Sequence, residues 1–302
     1  MTGARVRGTQ TFVAQMSWVF TRPSLTALEV LWRWLFGIPV LVACYLEVQK
    51  LFALLPPEAT GLSDFDITSP WISSVKVAVA WDMYRPHVVE LLRWMAPLAA
   101  LAWIVLSGIG RNLVMKRMEP RLPFRPFAMI VLQAVSLLVL ALTCWAWWSS
   151  INWAAATHIG NGSEPDLVGY SVWAIFLSLG FFSLWAMVSW WVAMAPMLLL
   201  LERRTLFGSL GQSLKLGRAF TSKLIEINMV MGIVKLCMLV LAMVLSAVML
   251  PFASEVGLST LHVEWLFVSV FYFISSDYFQ VVRLKGFVEF WHIFREPSCS
   301  AP

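Results

Sequence analysis

Apolar residues run along this chain in long blocks, and the polar residues fall almost entirely between them. Several blocks reach the ~18–20 residues that a helix needs to cross a bilayer core of about 30 Å. Six spanning helices are predicted, over about 26–50, 94–112, 127–149, 168–200, 224–250 and 260–282. The first opens with Thr26 and Glu29 at capping-box spacing, and Pro39 should kink it. The fourth is longer than a bilayer requires, since roughly 33 residues rise about 50 Å. It must tilt, break near Pro196 or run past the membrane surface.

Two connections carry more than turns. Residues 56–93 form a sizeable outer loop, irregular at first and then, in "WISSVKVAVAWDMYRPHVVELLRW", spaced like an interfacial helix. On the opposite side, residues 201–223 place leucines among glycines, serines and the basic residues Arg203, Arg204, Lys215, Arg218 and Lys223. Such a segment is expected to lie on the membrane surface with those cations toward anionic lipid.

Composition agrees with the blocks. Of 302 residues, 60% are hydrophobic and 13% charged, against roughly 45–50% and about 25% in soluble domains. The surplus apolar surface needs lipid as its solvent. The expected fold is an all-α polytopic membrane helix bundle, a single integral membrane domain over 1–302 with added interfacial amphipathic helices. Tryptophans such as Trp145, Trp147, Trp148 and Trp153 cluster where an interfacial belt would put them.

The net charge of +5 does not point to nucleic acid, because the cations are sorted between the spans and do not form one continuous face. They gather before the first span (Arg5, Arg7, Arg22), after the second (Arg111, Lys116, Arg117, Arg121, Arg125), after the fourth (Arg203, Arg204, Lys215, Arg218, Lys223) and after the sixth (Arg283, Lys285, Arg295). The alternate connections hold only Lys50, Lys76, Arg85 and Arg93. The positive-inside rule then makes both termini cytoplasmic, with 1–25 a cytoplasmic segment and 287–302 a cytoplasmic tail.

Catalytic patterns are missing. His87, His158, His262 and His292 lie far apart, without the spacing of a helical zinc pair. The cysteines show no C-x-x-C, and neither a G-x-S-x-G turn nor a phosphate-binding glycine loop is present. Asp64 and Asp66 resemble the start of a calcium loop whose later ligands are absent. Asn161–Ser163 matches a glycosylation acceptor in a stretch that reads as a turn. No metal, cofactor or enzymatic activity is expected.

The charges inside the spans remain: Arg33, Lys235 and Asp277. Asp277 sits roughly 12 Å inside the sixth span and Lys235 about 16 Å inside the fifth, measured from the same side. Lys and Arg can extend their stems toward water, but Asp is too short. Three readings of Asp277 stay open. It caps a new interfacial helix, with Gln280 at capping-box spacing; it pairs with Lys235, with Ser275, Ser276 and Gln280 supplying hydrogen bonds; or it serves a proton or substrate relay.

The stretch "LLLLERRTLFGSLGQSLKLGRAFTSKL" resembles a pattern in the membrane domain accompanying bacterial glycerophosphodiester phosphodiesterases and related multi-pass families, with Ser213, Leu216 and Phe220 as the matching positions over about 190–290. The resemblance implies a non-enzymatic helical domain at a bacterial inner membrane, since the catalytic domain of those enzymes is a soluble barrel that this chain does not hold. The expected function is an accessory or scaffold subunit that interacts with membrane lipids and with another membrane protein. A secondary transporter using Arg33, Lys235 and Asp277 is the alternative, and a lipid-modifying enzyme drawing on Asp64, Asp66, Asp82, His87 and Glu90 is third.

Overall fold

The computed structural model describes residues 8–61, 70–159, 166–215, 218–248 and 258–295. Asp64, Asp66, Asn161–Ser163 and Leu216 lie outside them. The described residues are almost wholly helical, in the order α1 (Gly8–Phe20), α2 (Pro23–Leu54), α3 (Pro57–Thr60), α4 (Pro70–Met118), α5 (Pro126–His158), α6 (Leu167–Leu201), α7 (Leu206–Leu214), α8 (Arg218–Ala247) and α9 (Leu258–Arg295). Six of these helices are long and apolar enough to cross a membrane. The protein is an all-α, multi-pass membrane helix bundle.

All six expected spans are present, and several run beyond their apolar blocks. α4 has 49 residues and passes through Pro86 and Pro97, so the amphipathic stretch of the 56–93 loop is the beginning of a spanning helix. α6 continues through Pro196 without a break. α2 starts at Pro23, a position where the missing N–H costs nothing, so Thr26 lies inside the helix and does not cap it. α1, within the 1–25 segment read from the sequence as cytoplasmic, is an additional helix. It buries Phe12, Gln15 and Val19, three or four residues apart, as one helical face.

The chain divides into two compact units, one of Met1–Leu31 with Gly108–Pro302 and one of Trp32–Ser107. In the smaller unit α2 and α4 form an antiparallel pair. Trp103 stands against Trp32 and Phe36, at ring separations of 5.7 and 5.0 Å. At the other end the Tyr84 hydroxyl donates to the Leu55 carbonyl at 2.9 Å.

In the larger unit α5 pairs with α6 and α8 with α9, while α7 lies on α6 and α1 on α9. Its core is assembled at one end of the spans. Met115 and Met118 of α4, Met129 and Leu132 of α5, Met194–Leu201 of α6, Leu224–Met231 of α8 and Val281–Phe290 of α9 supply it, with α1 laid across. This is the end where the basic residues collect. By contrast, the most apolar stretch of α6 has none of its residues buried. Side chains such as Phe176, Leu179 and Phe182 are exposed there, as expected of a surface whose solvent is lipid.

Candidate functional site

α9 carries the polar residues that the sequence singled out. It is one unbroken helix from Leu258 to Arg295, so Asp277 lies in a helix interior and the reading of it as an N-cap is corrected. The local reason is the Phe279–Val282 stretch and the apolar residues beyond it, which α1 covers: the Tyr278 hydroxyl donates to the Met16 carbonyl at 2.8 Å, and Gln15 Nε2 to Glu289 Oε2 at 3.5 Å. Packing against α1 lets the helix continue past its carboxylate.

Asp277 and Gln280 are both buried, 5% exposed each, and one turn apart on one face. Ser275 and Ser276 are half-buried. Lys235 on α8 is half-buried. The antiparallel register is pinned at two points, Trp265 Nε1 donating to the Ser246 carbonyl at 3.1 Å and Gly286 beside the Ile227 side chain. Counting inward from each pin brings Lys235 level with Asp277. Arg33 belongs to the other unit.

Gln280 also lines a cavity of about 800 Å³ between the helix pairs. Arg111, Gln133, Asn228 and Arg283 share that lining, with methionines Met115, Met129, Met187, Met194, Met197 and Met229. Sequence reasoning grouped Arg111 and Arg283 with the connections and passed over Gln133 and Asn228 inside the third and fifth spans. The spacing of Gln280, Arg283 and Phe287 down one side of a helix was the available signal.

Polar contacts tie the helix ends together at the basic end. His292 Nε2 lies 3.2 Å from Glu119 Oε2, and Trp291 Nε1 donates to Glu202 Oε1 at 3.4 Å. Glu202 also accepts from Arg204 Nε at 2.6 Å, while Arg125 Nη1 donates to the Arg204 carbonyl at 3.1 Å. Arg203, at a left-handed φ of 49°, reaches the Arg121 carbonyl at 3.5 Å. Arg203 and Arg204 are therefore partly occupied within the protein, although their side chains remain exposed with that of Lys215. Arg218 and Lys223 lie on α8, with side chains outside the described ones.

Thr205 caps α7, its hydroxyl accepting from the Gly208 amide at 3.3 Å. Ser209 and Ser213 are the buried side of this helix, each hydroxyl turned back to a carbonyl three residues earlier. Phe207 and Leu214 point outward, Phe207 with 87% of its surface exposed.

At the opposite end of α6, Asp166 caps the helix by accepting from the Gly169 amide at 2.8 Å, with His158 Nδ1 at 3.2 Å. The amide hydrogen bond, and then the imidazole, hold the Asp166 carboxyl below its ordinary value. The cap's contribution is thus complete above the ordinary carboxylate range and lost as pH falls through the lowered value. Asp166→Asn, which keeps an acceptor but cannot ionise, should flatten the acid limb of a thermal-stability profile. An unchanged limb would show that the cap does not set it.

Among the described residues no group of three or more His, Cys, Asp or Glu side chains is placed to hold a metal ion. No family model matches the chain, and no curated protein and no solved structure matches it significantly.

Proposed function

We propose that this multi-pass membrane protein is a non-enzymatic accessory or scaffold subunit of a bacterial inner membrane, with membrane lipids and another membrane protein as its partners. The observation that carries the reading is α7. A helix that buries serines against its own protein and turns Phe207 and Leu214 outward, beside the exposed cations Arg203, Arg204 and Lys215, has the chemistry of a surface-lying membrane helix. The resemblance over 190–290, carried by Ser213, Leu216 and Phe220, supports the same role.

The test is extraction of the full chain in lipid nanodiscs, followed by mass spectrometry of every co-purifying protein and lipid. A protein partner in fixed stoichiometry, or an enriched lipid, is the expected result. Emergence of the chain with bulk lipid alone would sink the reading.

One observation favours a second reading, a secondary transporter using Arg33, Lys235 and Asp277. A buried carboxylate level with a lysine, one turn from a cavity-lining Gln280, is the kind of group that lines a transport path. After replacement of Cys44, Cys144, Cys237 and Cys299, the variant Ser276→Cys separates the two. Modification by a membrane-impermeant thiol reagent would support a wet path, and complete protection would support the accessory role.

A further inference from the structure

A second cavity, of about 890 Å³, opens at the basic end where α1, the start of α2 and the end of α4 meet. Three cations line it, Arg22, Lys116 and Arg117, together with the Ser24 hydroxyl. Among the described residues its lining holds no acid, and none of the three cations meets a carboxylate. Glu29, the next acid along α2, is buried and faces elsewhere, 1% exposed and absent from the lining. Glu119 is engaged with His292.

Two of the three cations are held in place by aromatic rings. The Arg22 guanidinium stacks 3.8 Å from the centre of the Trp18 ring, whose surroundings include Lys285 Nζ at 4.6 Å, and Lys116 Nζ stands 5.2 Å from the Phe124 ring. Cation–π contacts fix where a positive charge sits without neutralising it. Three like charges drawn around one cavity repel one another, so an anion among them lowers the energy of the folded state. Guanidinium groups from two distant parts of the chain, Arg22 between α1 and α2 and Arg117 on α4, suit a phosphate, whose oxygens accept from several directions.

The remaining walls are apolar. Leu25, Leu28 and Leu113 line the same cavity, on the segments of α2 and α4 that continue into the apolar spans. Phosphate-binding groups above and leucines leading into the membrane match one occupant. We propose that this cavity holds the phosphate group of an anionic membrane lipid, with Arg22, Lys116 and Arg117 on the phosphate and the acyl chains along Leu25, Leu28 and Leu113. This rests on the lipid-interacting reading above and places the headgroup away from the 201–223 segment.

The experiment is native mass spectrometry of the full chain released from nanodiscs made of phosphatidylglycerol and phosphatidylcholine in equal amounts. Wild type should retain phosphatidylglycerol in preference. Each removed cation should weaken that retention about fivefold, and Arg22→Gln with Lys116→Gln and Arg117→Gln together about a hundredfold. The control Lys50→Gln, near the far end of α2 and absent from the cavity lining, should retain lipid as wild type does.

Equal retention by the triple variant would overturn the site while leaving the lipid-interacting reading intact. Absence of any preference in wild type would sink both. Inorganic phosphate added alone should not release the lipid; release would assign the cavity to a soluble phosphate. If the triple variant does not fold, the single variant Arg117→Gln and a salt titration of wild type decide. Retention should fall as salt rises, and retention unchanged at about 1 M salt would reject a charge-driven site.

Discussion

Reversing the charge of Asp277 alone, as Asp277→Lys, is expected to abolish accumulation of folded protein, and adding Lys235→Asp is expected to restore most of it. Asp277 is 5% exposed in the interior of a continuous helix, and the α8–α9 register places Lys235 at its level. Breaking a buried pair strands one charge at a cost of about 3–5 kcal/mol, a large share of the roughly 5–15 kcal/mol that holds a typical domain folded. The reversal adds repulsion between two ammonium groups. Exchanging the residues reinstates one charge of each sign in the same place, so recovery in the double variant separates pairing from any general intolerance of α9. Accumulation would be read by fluorescence-detected size exclusion. A double variant as poor as the worse single change would mean that the two side chains engage other groups.

The second large effect is predicted at Gly108. A Cβ there would come within 2.6 Å of Ile130 Cγ1 and 2.8 Å of the Ile130 Cα and N atoms. Two of these three atoms are backbone, so α4 and α5 would have to move apart. Gly108→Ala should therefore cost about 1–3 kcal/mol, despite a gain of up to ~1 kcal/mol in helix propensity. Gly108→Leu should prevent folding. Two other glycines supply the scale. At Gly286 the nearest atoms are the ends of flexible side chains, Gln15 Oε1 at 2.7 Å and Ile227 Cδ1 at 3.0 Å, so Ala should be nearly neutral. Gly232 has nothing within 4 Å, so Ala there should stabilise by about 0.5–1 kcal/mol. Midpoints of thermal unfolding in one detergent should rank the variants Gly232→Ala, Gly286→Ala, Gly108→Ala from highest to lowest. A Gly108→Ala midpoint at or above wild type would show that the α4–α5 approach is not tight.

The same glycine contrast marks a limit of sequence reading. All three positions lie in helical stretches and look alike in the chain. What differs is the distance to a neighbouring helix, which no local pattern records.

The six spans were legible in the sequence because lipid offers the backbone no hydrogen-bond partners, so each crossing segment must satisfy its own amides as a helix and clothe itself in apolar side chains. That requirement is met within about twenty consecutive residues, and it leaves a continuous mark. The candidate residues Asp277, Lys235 and Gln280 stood out for the same reason, as polar exceptions within such runs. Where the helices end was less legible. α9 passes Asp277, α4 begins well before its apolar block, and α1 forms outside any block, because apolarity reports contact with lipid and not the length of a helix.

Only the tertiary structure decided which polar residues share a cavity. Arg22, Lys116 and Arg117 read as ordinary charges of connecting segments until α1, α2 and α4 bring them around one opening. Gln15 meets Glu289, and His292 meets Glu119, across most of the chain. Such meetings arise from the packing of distant side chains at the basic end. Local composition determines that each helix forms; the fit between helices determines what they enclose.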